Sequence, residues 1–165
     1  KVLLHALGKP ITANERLVRG NADNGILVSA DRQSEIAAGS GRMTQHVLLP
    51  KQMRLVKIGG PDYGFYAQTA KEGGDPDDFD GVNLIEGSRR KAGDKGTDGW
   101  RIEVEPTTRA RAHRFLQVLA TRLAADSAPP PSVRLIENAE HRIVLDIGET
   151  RITLEGVDGH FRADW

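Results

Sequence analysis

Two histidines sit inside apolar runs, His5 in V-L-L-H-A-L and His46 in T-Q-H-V-L-L-P. One imidazole from each of two strands could hold zinc, but a zinc site draws at least three protein ligands at compatible spacing. No third ligand stands at a recognisable spacing from either. An isolated strand histidine is more commonly structural or solvated, and the same holds for His113, His141 and His160, which fall at strand starts or hairpins. The expectation is no metal and no cofactor. Aromatic residues gather once, where Tyr63, Phe65 and Tyr66 follow I-G-G-P-D. Rings beside such a turn could stack on a sugar, so Tyr63 and Tyr66 are candidate substrate contacts, with a packed pair as the competing role of Tyr66. The stretch 87–99, G-S-R-R-K-A-G-D-K-G-T-D-G, sets Arg89, Arg90 and Lys91 side by side. Such groups suit the carboxylates of a polyanion, with plain solvated surface as the alternative. Residues 71–81, K-E-G-G-D-P-D-D-F-D-G, offer Asp75, Asp77, Asp78 and Asp80 as hard oxygen ligands for calcium. The EF-hand register fails, because with Gly81 at its sixth place Pro76 takes the first and Gly87 the twelfth. A solvated acidic loop is the simpler reading. No phosphate-cradling glycine pattern and no G-x-S-x-G occurs, and no catalytic residue is assigned.

The elements that would carry these residues are strands. In G-W-R-I-E-V-E-P, Trp100, Ile102 and Val104 alternate with Arg101, Glu103 and Glu105 and the run stops at Pro106. That period of two describes a strand with one buried face, Trp100 included. Phe115–Leu119 follows as a second apolar run. Earlier runs span 2–7, 26–30, 42–49, 53–58, 64–68 and 82–86, and later ones 132–137, 141–147, 150–154 and 159–163. Turn residues bound each of them. Gly148-Glu149 reads as a two-residue hairpin turn, with further turns at 23–25 and 158–159. This spacing predicts an all-β fold, an antiparallel multi-stranded β-sandwich of layered sheets with long loops at 71–81 and 87–99. Residues 107–127 are ambiguous: a Thr cap, many Ala and apolar positions 115, 116, 119 and 123 suit a helix. Strand neighbours on both sides favour a strand there. The run D-S-A-P-P-P at 126–131 is a stiff connector.

A length of 165 residues suits one domain with its own core. Lys plus Arg and Asp plus Glu balance at 23 each, so no overall field draws the chain to nucleic acid or to a membrane surface. No apolar run approaches the roughly 18–20 residues of a membrane span. There is no cysteine and hence no disulfide. The chain opens on Lys1 and at once enters a strand-length apolar run, which leads us to expect a piece of a longer protein.

The succession L-L-H-A-L-G-K-P-I near the start, H-V-L-L-P at 46–50, I-G-G-P at 58–61, W-R-I-E-V-E-P at 100–106 and F-L-Q-V-L at 115–119 resembles the C-terminal β-sheet domain of the heparinase II/III-like polysaccharide lyases. The likeness covers about residues 2 to 120, and Gln117 stands where that family often has His. It implies that residues 1–165 are a single β-sandwich domain whose parent chain carries an α/α toroid before it. The implied chemistry is β-elimination in a cleft between the two, on a uronate-containing polysaccharide such as a glycosaminoglycan. A base takes the C5 proton while other groups neutralise the carboxylate, the step that makes this proton acidic. The resemblance places such a protein in the periplasm or outside the cell. It carries no catalytic residue onto this chain, and the isolated domain is expected to be inactive. A carbohydrate-binding sandwich without chemistry is the alternative.

Overall fold

A computed structural model describes residues 1–6, 8–64, 66–68, 79, 81–83, 99–157 and 160–164. The described residues contain strands and no helix: β1 (Val2–Ala6), β2 (Arg16–Asn21), β3 (Asn24–Ser29), β4 (Gln33–Ala38), β5 (Gly41–Leu49), β6 (Met53–Gly59), β7 (Tyr66–Gln68), β8 (Gly81–Asn83), β9 (Trp100–Pro106), β10 (Leu116–Leu123), β11 (Val133–Asn138), β12 (Arg142–Ile147), β13 (Thr150–Val157) and β14 (His160–Asp164). All pairings are antiparallel. A five-stranded sheet runs β1-β9-β6-β3-β2, a three-stranded sheet β10-β5-β4, a four-stranded meander β11-β12-β13-β14, and β7 pairs with β8.

Alternation decides which side chains meet. Ala6, Met53, Leu55, Ile102 and Val104 project from the five-stranded sheet onto Ile36 and Val47 of the three-stranded one, with Leu4, Met43 and Phe115 around them. This is the core of a sandwich. Fully burying a side chain such as Ile102 contributes about 1.5–3 kcal/mol. The reverse face of the large sheet is covered as well: Ile26, Val28, Val56 and Ile58 pack under Tyr66 and Phe79, with Val18 and Tyr63 beside them. The alternation in β9 is as expected, but the strand is buried on both faces from Trp100 to Val104 rather than on one. Arg101 and Glu103 are therefore core residues, and they partner each other: Arg101 Nε donates to Glu103 Oε1 at 2.7 Å, and Lys1 Nζ donates to Glu103 Oε2 at 2.5 Å.

The ambiguous stretch is a strand where it is regular. β10 pairs with β5 from Leu116 opposite Leu49 to Leu123 opposite Gly41. Backbone partners on a waiting sheet outweigh the few tenths of a kcal/mol per residue by which Ala and Leu prefer a helix. Two strands have no clear trace in the sequence. In β4, Q-S-E-I-A-A, only Ser34 and Ile36 are buried, and β2, R-L-V-R-G-N, is exposed at every position except half-buried Val18. In the meander, Gly148 takes φ +59 at the β12–β13 turn, a left-handed conformation that favours glycine. The meander is tied to the sandwich by Arg114, whose guanidinium donates to Asn138 Oδ1 at 2.9 Å and to the carbonyls of Ala139 and Glu140 at 2.8 and 3.0 Å. No helix among the described residues is long and apolar enough to cross a membrane.

Candidate functional site

The outer face of the three-stranded sheet carries the chemistry. In β5 the inward side chains are Met43, Gln45 and Val47, so Arg42, Thr44 and His46 point the other way. The register sets Arg42 between Ala37 and Arg122, Thr44 between Glu35 and Ala120, and His46 between Gln33 and Val118. The inward polar residues are satisfied among themselves. Ser34 Oγ donates to Gln45 Oε1 at 2.7 Å, and Gln45 Nε2 donates to Gln117 Oε1 at 2.7 Å. Gln117 thus has a structural partner across the sheet.

The outward residues are not satisfied. Among the described residues, four buried side-chain polar atoms have no hydrogen-bond partner: Arg42 Nε, Thr44 Oγ1, His46 Nε2 and Arg122 Nε. All four lie on this one face. Buried polar groups are ordinarily paired, but of the two residues flanking Thr44, Ala120 has no side-chain acceptor and the Glu35 carboxylate is engaged by Arg42 and Arg122. The charges are partly compensated, since Glu35 takes Arg42 Nη1 at 3.3 Å and Arg122 Nη2 at 3.1 Å. Burial pushes the His46 imidazole below its ordinary value, so it is neutral at pH 7.

A groove of about 790 Å³ opens at the His46 end, walled by Ile11 to Ala13, Asp31 to Glu35, His46 to Leu48 and Val133. Ile11 closes one side by pairing with the free edge of β4, its N–H donating to Glu35 O at 2.7 Å and its carbonyl accepting from Glu35 N at 2.8 Å. Arg32 stands in the wall of this groove and of a smaller adjoining hollow of about 400 Å³. Its guanidinium donates to the carbonyls of Val47, Leu48, Pro50 and Lys51 at 2.6–2.9 Å. Carbonyl dipoles hold it and no carboxylate pairs with it among the described residues. Burial lowers its pKa. Groove and outer face together hold three guanidiniums, of Arg32, Arg42 and Arg122, against the carboxylates of Asp31 and Glu35. The balance is positive by one.

The floor beside Thr12 is anchored from inside the sandwich. Glu15 accepts from Thr12 N at 3.0 Å and Thr12 Oγ1 at 2.6 Å, and from the buried ammonium of Lys57. Burial pushes the Glu15 carboxyl up, but the bonds from Lys57 and Thr12 outweigh it and leave the group below its usual 4.5. Burial dominates for Lys57, which lies below 10.5 despite its partner. A carboxyl depressed on folding contributes stability above its unfolded value and loses it as pH falls through the folded one. Stability should therefore decline on acidification below 4.5, and Glu15→Gln should flatten that decline. Denaturant midpoints across pH check this; an unchanged slope in the variant contradicts it.

The unpartnered hydroxyl gives a second test. Thr44→Val keeps the shape and removes a buried polar group without a partner, whose desolvation costs about 1–3 kcal/mol. The variant should match or exceed the parent by about 1 kcal/mol in urea denaturation without ligand. A loss of that size instead would mean the hydroxyl is paired.

The residues expected from sequence fall elsewhere. Tyr66 is buried in the second core cluster, and its hydroxyl donates to Phe79 O at 2.5 Å and accepts from Arg19 Nη1 at 3.0 Å. Tyr63 is half-buried with its ring 5.1 Å from that of Tyr66. The two form a packed pair, with Tyr63 the more accessible. Trp100 is buried, its ring 5.8 Å from Lys9 Nζ and 5.9 Å from Lys57 Nζ. His5 is exposed on β1, on the face turned away from the sandwich core, whereas His46 is on the outer side of the opposite sheet. No group of three metal-ligating side chains forms among the described residues. Arg89, Arg90 and Lys91 lie outside the described residues, as do Asp75, Asp77, Asp78 and Asp80. Arg32, Glu35, Arg42, Thr44 and Arg122 drew no attention in the sequence, although the alternation R-M-T-Q-H already sets Arg42 and Thr44 on the face of His46.

The chain matches no protein-family model, no curated protein and no solved structure.

Proposed function

We propose that this chain is the β-sheet domain of a heparinase II/III-like polysaccharide lyase, forming one wall of a cleft for an acidic, uronate-containing polysaccharide. The observation that carries this reading is where the resembling pieces fall. L-L-H-A is in β1, W-R-I-E-V-E-P is β9, and β6 runs into I-G-G-P; these three strands are consecutive neighbours in one sheet. H-V-L-L-P lies in β5, and F-L-Q-V-L enters its partner β10 in the facing sheet. Five short matches scattered over about 120 residues thus converge on one two-layered body. On this reading the base and the groups that neutralise the uronate carboxylate come from elsewhere in the parent protein, whose α/α toroid completes the cleft. The protein would work in the periplasm or outside the cell.

A second reading, a binding module for acidic polysaccharide without chemistry, is favoured by the positive balance of the groove and the outer face taken together. Mixing the isolated chain with heparin-like and alginate-like polymers distinguishes the readings from an independent enzyme. Binding that weakens with salt is expected, because exposed charge pairs are screened, together with no unsaturated product. Replacing Arg89, Arg90 and Lys91 with Ala should reduce the salt sensitivity. Product formed by the isolated chain would overturn the accessory-domain reading, and an unchanged salt dependence would remove the 87–99 segment from the binding surface.

A further inference from the structure

We propose that the smaller hollow, between the β5–β6 turn and the edge strand β11, binds a small carboxylate that carries an aliphatic body. This goes beyond the polysaccharide reading and does not rest on it.

Charge sets this hollow apart. Arg32 and Lys51 both line it. The Arg32 guanidinium gives four bonds to the carbonyls of Val47, Leu48, Pro50 and Lys51 and keeps one N–H of Nη1. Carbonyl dipoles fix the plane of the group, but they leave its unit charge without a counter-charge. Lys51 forms no ion pair among the described residues, and Glu137, the carboxylate in the lining, is already taken by Arg142 Nη1 at 2.5 Å. Two cations in one hollow repel each other, and an anion between them relieves that. Both can be reached, since Lys51 is exposed and Arg32 half-buried. Asn138 adds a neutral donor. Its Oδ1 accepts from Arg114 Nη1 at 2.9 Å, so Nδ2 is the end left for a ligand.

The rest of the lining is aliphatic, from Leu48, Leu135 and Ile136. Ile136 is the bulged residue of β11, passed over by the pairing with β12 between Leu135 and Glu137. A bulge re-aims a side chain, and this one leaves an apolar residue 49 % exposed at the rim of a hollow with two cations. Those donors and walls select the ligand. The two oxygens of a carboxylate accept from a guanidinium N–H, an ammonium and an amide, while a hydrocarbon body covers Leu48, Leu135 and Ile136. A phosphate dianion has more acceptor sites than these donors fill, and its remaining oxygens would lie unpaired against apolar walls at a cost in free energy. The volume of about 400 Å³ is within the range of small-molecule sites.

The test is titration of the chain with isocaproate, read by NMR at the backbone amides of Lys51 and Asn138 and at the Arg32 Nε–H. Isocaproamide and inorganic phosphate run in parallel. Saturable shifts at all three positions are expected with isocaproate and with neither control. Lys51→Gln, at an exposed position, should weaken binding about fivefold, the effect of losing one partly solvated charge. Ile136→Ser should weaken it about threefold through lost apolar contact. Arg32→Gln should abolish it; that variant also loses the carbonyl bonds of the 47–51 turn, so if it does not fold, the two exposed positions decide. Absence of saturable shifts, or an affinity unchanged in Lys51→Gln, overturns the site. Equal binding of the amide overturns recognition by charge, equal binding of phosphate overturns the carboxylate assignment, and an unchanged affinity in Ile136→Ser removes the aliphatic wall from it. The lyase reading is tested separately, by unsaturated product.

Discussion

Arg101→Met should cost about 3–5 kcal/mol of stability, the loss that follows when one member of a buried ion pair is removed. The guanidinium donates to Glu103 Oε1 at 2.7 Å and to the Tyr66 carbonyl at 2.5 Å, so it joins β9 to the segment covering that face. Glu103 is only 2 % exposed and would keep Lys1, a residue that is itself partly exposed, as its charge partner. Burial pushes the Glu103 carboxyl up, and the bonds from Lys1 and Arg101 bring it below 4.5; without Arg101 it should rise. The double variant Arg101→Met, Glu103→Leu should recover most of the loss, because a well-packed apolar pair can replace a buried ionic one. Urea denaturation reads both. A single-variant loss under about 1 kcal/mol would show that the pair is solvated.

Gly59→Ala should cost about 1–3 kcal/mol, the range for forcing an extra carbon into a filled core. A Cβ there would lie 2.5 Å from Trp100 Cδ2, 2.6 Å from Trp100 Cγ and 2.7 Å from the Gly99 carbonyl. Trp100 cannot yield easily: it is 5 % exposed, with the ammonium groups of Lys9 and Lys57 near its ring. Gly41→Ala is the control, since its nearest contact would be an ordinary 3.5 Å to the Ala38 carbonyl. It should change stability by no more than about 0.5 kcal/mol. Equal effects at the two positions would mean that the close approach of Gly59 to Trp100 does not constrain the fold.

The strands that form the core were legible because their apolar residues alternate. β9 announces itself through Trp100, Ile102 and Val104, and β6 through a run of Leu and Val. The same pattern misplaced Arg101 and Glu103 in solvent, since alternation tells which residues share a face and not whether a further layer covers it. β2 and β4 escaped because they are held by backbone pairing and present few apolar side chains. β10 was ambiguous for the opposite reason, its Ala and Leu being suited to a helix until β5 supplied a partner. The unpartnered atoms on the outer face needed the register: Arg122 and Arg42 are far apart in sequence, and only the pairing of β10 with β5 brings them side by side. Tyr66, a candidate substrate contact by its place after I-G-G-P-D, takes its alternative role as one side of a packed pair, with its hydroxyl buried and the ring of Tyr63 beside it.

The central proposal is that this sandwich serves a uronate lyase. The measurement that tests it most directly is the formation of unsaturated uronate, followed by its absorbance, when the proposed toroid-bearing parent protein is mixed with uronate-containing polymers. The account predicts product that depends on both parts being present. Saturated ends, or no cleavage of any uronate polymer by a parent that carries the toroid, would contradict it.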